Sequence, residues 1–258
     1  MTNLRDTPQP GEDHRFRLRW RMRLVERALR QYRRSKGGEG AEHEKACGLR
    51  FGDLLAMPAV RTLLEDDSPD LTRGALLARL ADMIPSLAVA WHDVCKSHLV
   101  SLAEVGLKDA TIPLPDRPLT VDLAIMMFQC GRCRFVARWP EVFEHVCMRD
   151  ADLDEHPPPS KQVYETEAWQ YLKEIGWDQG KLQWRNGRWP ALCFVEPAQA
   201  GFTACGLDPT TATVEAMDKT GARFMCRFCS DARTSVGKEI YDWVDMVGGV
   251  CILTICSY

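Results

Sequence analysis

Apolar positions change their period along the chain, and the change divides it into a helical first half and a more irregular second half. From Phe16 to Arg34 the sequence FRLRWRMRLVERALRQYRR places Leu18, Met22, Val25, Leu29 and Tyr32 at spacings of four, three, four and three. That repeat keeps them on one face of an α-helix, with arginines around the rest. Phe16, Leu18, Trp20 and Met22 also alternate as a strand would, but the following VERALRQYRR favours helix, and the glycine-rich run 35–40 ends it. Residues 49–105 predict three more amphipathic stretches. Leu54, Leu55, Val60, Leu63 and Leu64 form the first, up to an acidic break. Leu71, Leu76, Leu77, Leu80, Met83 and Ile84 form the second, interrupted at Pro85. Val89, Trp91, Val94, Leu99 and Leu102 form the third, ending near Gly106.

Beyond the proline-rich passage Pro113 to Pro118 the segments are shorter. Arg134 to Trp139 reads as a strand, and Pro140 suits the first position of a helix. Residues 163–175 read as a short helix, Asn186-Gly187 as a hairpin turn, and 238–247 as a helix. The expected fold class is α+β, a helical N-terminal half followed by a C-terminal half with small ββα-like zinc-knuckle units. Four regions follow: a leader and basic amphipathic helix (1–40), a helical region (41–112), a first knuckle unit (113–156), and an α+β region with a second, incomplete one (157–258).

Composition narrows the chemistry. The formal net charge of −3 supplies no global argument for nucleic acid or membrane, yet it hides an asymmetry. Residues 1–34 hold ten arginines against four carboxylates, so the remainder is strongly acidic. No run of about 18–20 apolar residues is present, and the polar start MTNLRDTPQPGEDHRF is unlike a signal peptide. The expectation is an intracellular protein, in nucleus or cytoplasm, whose eleven cysteines stay reduced. Cysteine pairs then point to metal before they point to disulfides.

The first such pair lies in FQCGRCRFVARWPEVFEHVC, residues 128–147. Two cysteines two residues apart can turn both thiolates toward one ion, and Gly131 eases the tight knuckle. Zinc takes four nitrogen or sulfur ligands in a tetrahedron. Cys130, Cys133 and His145 are three; Cys147 is the first choice for the fourth and His156 the second. On a continuous helix, His145 and Cys147 would point about 200° apart. They share an ion only if the helix ends or unwinds between them. Redox catalysis by this Cys-Gly-Arg-Cys run would want a thioredoxin-like βαβ context that the sequence does not show.

Phe224-Met225-Cys226-Arg227-Phe228-Cys229 repeats the Phe-x-Cys-x-x-Cys pattern. Glu239 to Val244 matches Glu141 to Val146 in residue type, which sets Trp243 in the place of His145 and Asp245 in that of Cys147. A second zinc site would have to use Cys226, Cys229, Cys251 and Cys256, or recruit Cys205.

Together, FQCGRCRFVARWPEVFEHVC, CGLDPTTATVEAMDKTGARFMCRFC and the tryptophan of YDWV resemble uncharacterised zinc-finger-like or F-box-associated proteins of mushroom-forming fungi. The likeness runs from about Leu49 to Val247. It implies metal binding and a role in protein interaction, with no established enzymatic activity. Members of this kind continue past the WVDMV-like segment with a histidine, where this chain reads GGVCILTICSY.

The resulting expectation is a non-enzymatic protein with a structural Zn²⁺ site that supports protein–protein interaction. Nucleic-acid binding is the alternative, through the nine arginines of residues 15–34 and through Arg132, Arg134 and Arg138. An enzymatic reading rests on His92, Cys95 and His98, which share a helical face at spacings of three. No His-Glu-x-x-His run, phosphate-binding glycine loop or Gly-x-Ser-x-Gly elbow is present. The His43-x3-Cys47 spacing beside the glycine-rich linker is assigned no role.

Overall fold

A computed structural model describes residues 14–35, 49–68, 71–108, 117–145, 147, 163–175, 192–195, 199–225 and 240–244. The chain forms two compact units. One comprises Met1–Asp93 and Val146–Trp189, the other Val94–His145 and Pro190–Tyr258. The architecture mixes helices with small antiparallel sheets, and the N-terminal half is helical.

The first unit contains α1 (His14–Ser35), α2 (Phe51–Ala56), α3 (Pro58–Glu65), the first part of α4 (Arg73–Lys108) and α6 (Val163–Ile175). The stripe expected on α1 is its inner face: Leu18, Met22, Val25 and Leu29 are buried, and Trp20, Leu24 and Ala28 widen it. These pack with Phe51, Leu54, Leu55, Leu64, Leu76 and Leu80 and with Tyr164 and Ala168 of α6. Two polar groups caught in this core are satisfied. The Tyr164 hydroxyl donates to the Leu55 carbonyl at 3.0 Å, and buried Arg21 donates to the Leu64 carbonyl at 2.7 Å.

Two expectations about α4 change. The sequence reading ended one helix at Pro85 and began another, but α4 is a single 36-residue helix through that proline. Proline removes one helical hydrogen bond and crowds the carbonyl four residues back. Here both Pro85 and Ala81 are exposed, so the break falls on the solvent side of the helix and the inner side stays intact. By length and composition alone α4 also passes as a membrane span. Its apolar residues instead make two narrow buried stripes, Leu76–Leu80–Ile84–Ala88 in the first unit and Cys95–Leu99–Ala103–Leu107 in the second. Val89, Val94 and Val105 stay exposed.

The second unit holds the end of α4, then β1 (Phe128–Cys130), β2 (Val136–Ala137), α5 (Glu141–Glu144), β3 (Leu192–Phe194), α7 (Gln199–Ala204), α8 (Val214–Thr220), β4 (Phe224–Met225) and β5 (Ile240–Tyr241). β1 is the centre of a three-stranded antiparallel sheet in the order β2-β1-β3, and β4 pairs with β5. Leu123 to Phe128 are all buried and run into β1 as its apolar root. Gly106 lets α4 approach β3 closely: a Cβ there would meet the Phe194 side chain at 2.5–2.9 Å. α8 is well terminated, with the Thr213 hydroxyl accepting from the Ala216 N–H and Gly221 in the left-handed conformation at its end.

Residues 238–247 were expected to be one helix. Ile240 and Tyr241 are instead strand β5, and only Trp243 and Val244 of the described residues there are helical. Pairing to β4 outweighs local helical propensity because it satisfies backbone groups on both strands. The Asn186-Gly187 turn lies outside the described residues.

Candidate metal centre

Within the second unit, β1 and β2 form a hairpin whose loop carries the first cysteine pair. Phe128 faces Ala137 and Gln129 faces Val136 across the pair. The loop is closed by two short backbone bonds, Cys130 N–H to the Phe135 carbonyl and Arg134 N–H to the Cys130 carbonyl, each 2.8 Å. The turn runs through Gly131–Cys133, where the sequence reading placed it, but its left-handed residue comes just after. Arg134, with φ +63°, takes the left-handed conformation, and Gly131 does not. A side chain with a Cβ pays about 1–2 kcal/mol for that conformation. The strand after the knuckle is shorter than the expected Arg134–Trp139 segment, spanning Val136 and Ala137 alone.

Pro140 is the N-cap of α5 rather than its first residue, and the helix lasts four residues. His145 caps its C-terminus with φ −54° and ψ +137°, an extended geometry. The helix therefore ends before His145, so no continuous helix carries both His145 and Cys147. That break removes the 200° divergence between His145 and Cys147 and lets both turn the same way.

The ligand atoms of Cys130, Cys133, His145 and Cys147 all lie within 4.8 Å of one another, and the group could hold a metal ion. Cys130, Cys133 and His145 belong to the second unit, and Cys147 is the second residue of a segment assigned to the first. Cys130 and Cys147 are buried, His145 is half-buried and Cys133 is exposed. The Cys133 Sγ and His145 Nε2 are 2.8 Å apart. A tetrahedral zinc site with bonds of about 2.0–2.3 Å separates its donors by about 3.5–3.8 Å. To hold such an ion the Cys133 thiol and the imidazole would move apart by about 0.7 Å, and donor pairs as far apart as 4.8 Å would close by about 1 Å. Coordination of a metal through Nε2 would leave the ring proton on Nδ1. The imidazole also lies against Phe135, with ring centres 4.5 Å apart and planes 17° from parallel.

Behind the hairpin a second set of contacts holds β2. Arg138 reaches Glu141 at 3.6 Å and Asp218 of α8 at 3.3 Å, and its guanidinium lies 5.4 Å from the centre of the Trp243 ring. The Trp243 indole N–H donates to the other oxygen of Asp218 at 2.8 Å. Trp139 packs edge-on to Phe143 at 5.7 Å, with the Lys96 ammonium over its face at 5.7 Å. Sequence reasoning missed Asp218 and the Phe135–His145 stack. Asp218 lies 80 residues from Arg138, and a lone aspartate on a short helix carries no signal of its own.

The β4–β5 register corrects the proposed correspondence between the two cysteine units. Phe224 faces Tyr241 as Phe128 faces Ala137. Tyr241 is thus the counterpart of Ala137, and Trp243, two residues on, is the counterpart of Trp139 and not of His145. Cys226, Cys229, Cys251 and Cys256 lie outside the described residues, as do His156, His43 and Cys47.

The other sequence candidates fare differently. Cys95 is fully buried in an apolar stripe, and burial lowers the His98 imidazole below its usual range. His92, Cys95 and His98 do not form a metal-holding group; among the described residues the Cys130–Cys133–His145–Cys147 group is the one that does. The arginines of α1 are largely engaged within the protein. Arg19 donates to Glu167 at 2.6 Å, Gln170 at 2.8 Å and Glu174 at 2.9 Å, Arg17 to Asp67 at 3.2 Å, and Arg33 to the Leu49 carbonyl at 3.0 Å. Arg30 pairs with Glu26.

Comparison with protein-family models, curated proteins and solved structures gives no match.

Proposed function

We propose that Cys130, Cys133, His145 and Cys147 hold a structural zinc ion in a non-enzymatic, intracellular interaction protein. The observation that carries this reading is the extended His145 at the end of α5, which brings a fourth donor, Cys147, into the group. Four protein donors close a tetrahedron and leave no position for a substrate or an activated water. Bound there, zinc would supply folding energy: a two- and three-residue strand pair and a one-turn helix bury too little to hold themselves. Protein partners are favoured over nucleic acid on α1, where the arginines bind the protein's own carboxylates and carbonyls. The exposed Val89, Val94 and Val105 on α4 supply apolar contact area of the kind a protein partner covers. F-box association is carried by the sequence resemblance alone.

A second zinc ion at the second cysteine pair is part of this proposal. The corrected register supports it, because Cys147 is the tenth residue after Ala137 and Cys251 the tenth after Tyr241. Gly249 stands at the position of His145, so Cys256 is the candidate for the remaining donor.

Metal analysis of the purified chain by plasma mass spectrometry tests both sites. Cys130→Ser is expected to remove one equivalent of zinc, and Cys226→Ser a different one. Fully folded protein that contains no metal overturns the reading. Loss on Cys130→Ser alone removes the second site.

A further inference from the structure

The tip of the β1–β2 hairpin, residues 131–135, is exposed at every position. Phe135 is 45% exposed, an unusual place for a large apolar ring. One of its faces rests on the His145 imidazole, so its exposed area lies on the other face and the edge. Arg134 stands beside it in the left-handed conformation, which glycine adopts without cost. The Arg134 side chain is exposed and makes no ion pair or hydrogen bond among the described residues. Arg138, four residues on, differs in every respect, being tied to Glu141, Asp218 and Trp243. A strained arginine whose side chain returns nothing to the fold points to a ligand, because strain of this kind collects at binding sites.

We propose that Phe135, with Arg134 and the exposed Arg132, forms a stacking platform for single-stranded nucleic acid. A base lies on the open face of Phe135, and the two guanidinium groups take the flanking phosphates. Every base has a flat π-face, so the ring needs no particular sequence, and phosphates complement the charge. Bases inside a duplex are already stacked, which excludes double-stranded partners from this mode. An acidic protein segment would satisfy the arginines and bring nothing flat to the ring. The platform goes beyond the structural-metal reading and depends on it only through His145, which backs the ring.

The test is fluorescence anisotropy of a labelled oligothymidylate with the full chain, at low salt and across a salt series. Saturable binding is expected. Phe135→Ala is expected to weaken it about 5- to 150-fold, the range for loss of one base stack. Phe135→Trp keeps the flat surface and retains binding. Arg134→Gly relieves the backbone, so a folding defect cannot explain its weaker binding, and it lowers the salt slope by about 0.7. Metal content and far-ultraviolet dichroism of each variant are expected to match the parent. Absence of binding at low salt overturns the inference, as does indifference to Phe135→Ala. Equal affinity for a duplex, or Phe135-independent capture of a polyglutamate peptide, overturns it too. Metal-free chain that binds the oligonucleotide through Phe135 upholds this inference while removing the zinc reading. Zinc-loaded chain that ignores the oligonucleotide removes this inference alone.

Discussion

Individual residues carry two measurable consequences. Arg134 holds a left-handed backbone at the hairpin tip, and glycine there removes the clash while adding some freedom to the unfolded chain. Arg134→Gly is expected to raise stability by about 0.5–1 kcal/mol in urea titration. Asp53 accepts a hydrogen bond from the Arg50 N–H at 2.9 Å at the start of α2, yet burial pushes its carboxyl up to about 6. The folded state therefore binds this proton more tightly than the unfolded chain does. The resulting stability is present in full below about pH 4 and is lost as the pH rises to 6, a fall of about 3 kcal/mol. Asp53→Asn keeps an oxygen for the Arg50 N–H and cannot ionise. Its denaturation midpoint is expected to lose this dependence between pH 4 and 6 and to exceed the parent's at pH 7. An unchanged pH profile would show that another group is responsible.

Packing between elements sets the next two expectations. The close approach of α4 to β3 at Gly106 leaves no room for a methyl group, and one of the clashing atoms is the Phe194 Cβ, which cannot swing away. Gly106→Ala gains helix propensity but overpacks, for a net loss of about 1–2 kcal/mol. In the first unit, α1 is fastened to α6 by Arg19, which bonds Glu167, Gln170 and Glu174 at once. Glu167 is buried and makes the shortest of these bonds. Its carboxylate, with that of Glu174, holds the Arg19 guanidinium above its ordinary range. Glu167→Ala is expected to cost about 1.5–3 kcal/mol in thermal or chemical unfolding, the range for a lost hydrogen bond to a charged group. The α1–α6 pairing also explains why a basic N-terminal helix sits in an acidic protein: its arginines are matched by carboxylates about 150 residues away in sequence.

At the scale of the whole molecule, the two units differ in what holds them. The first has a continuous apolar core from Leu18 to Leu172 that contains no cysteine. The second has short strands, a one-turn helix and three of the four members of the cysteine–histidine group, Cys130, Cys133 and His145. Chelation of the proposed zinc is therefore expected to raise hydrogen exchange at 128–145 while α1, α2, α3 and α6 keep their protection. Equal loss in both units would indicate that the metal stabilises the chain as a whole.

Periodicity was enough for α1, because one-sided burial of a helix writes itself as a repeat of three and four. The grouping of Cys130, Cys133, His145 and Cys147 was likewise legible, since a Cys-x2-Cys pair followed by a histidine and a cysteine can converge on one ion. Whether His145 and Cys147 converge was not legible. It depends on where α5 stops, and a four-residue helix ends by backbone geometry that local propensity does not encode. Pro85 misled in the opposite direction, because only burial shows that its missing hydrogen bond lies on the solvent side. The partner of Trp243 was assigned by likeness of residue type and corrected by strand register, which is a property of two segments together. Residue chemistry was thus available in the sequence, whereas convergence, register and the fate of each arginine were decided by contacts between residues far apart in the chain.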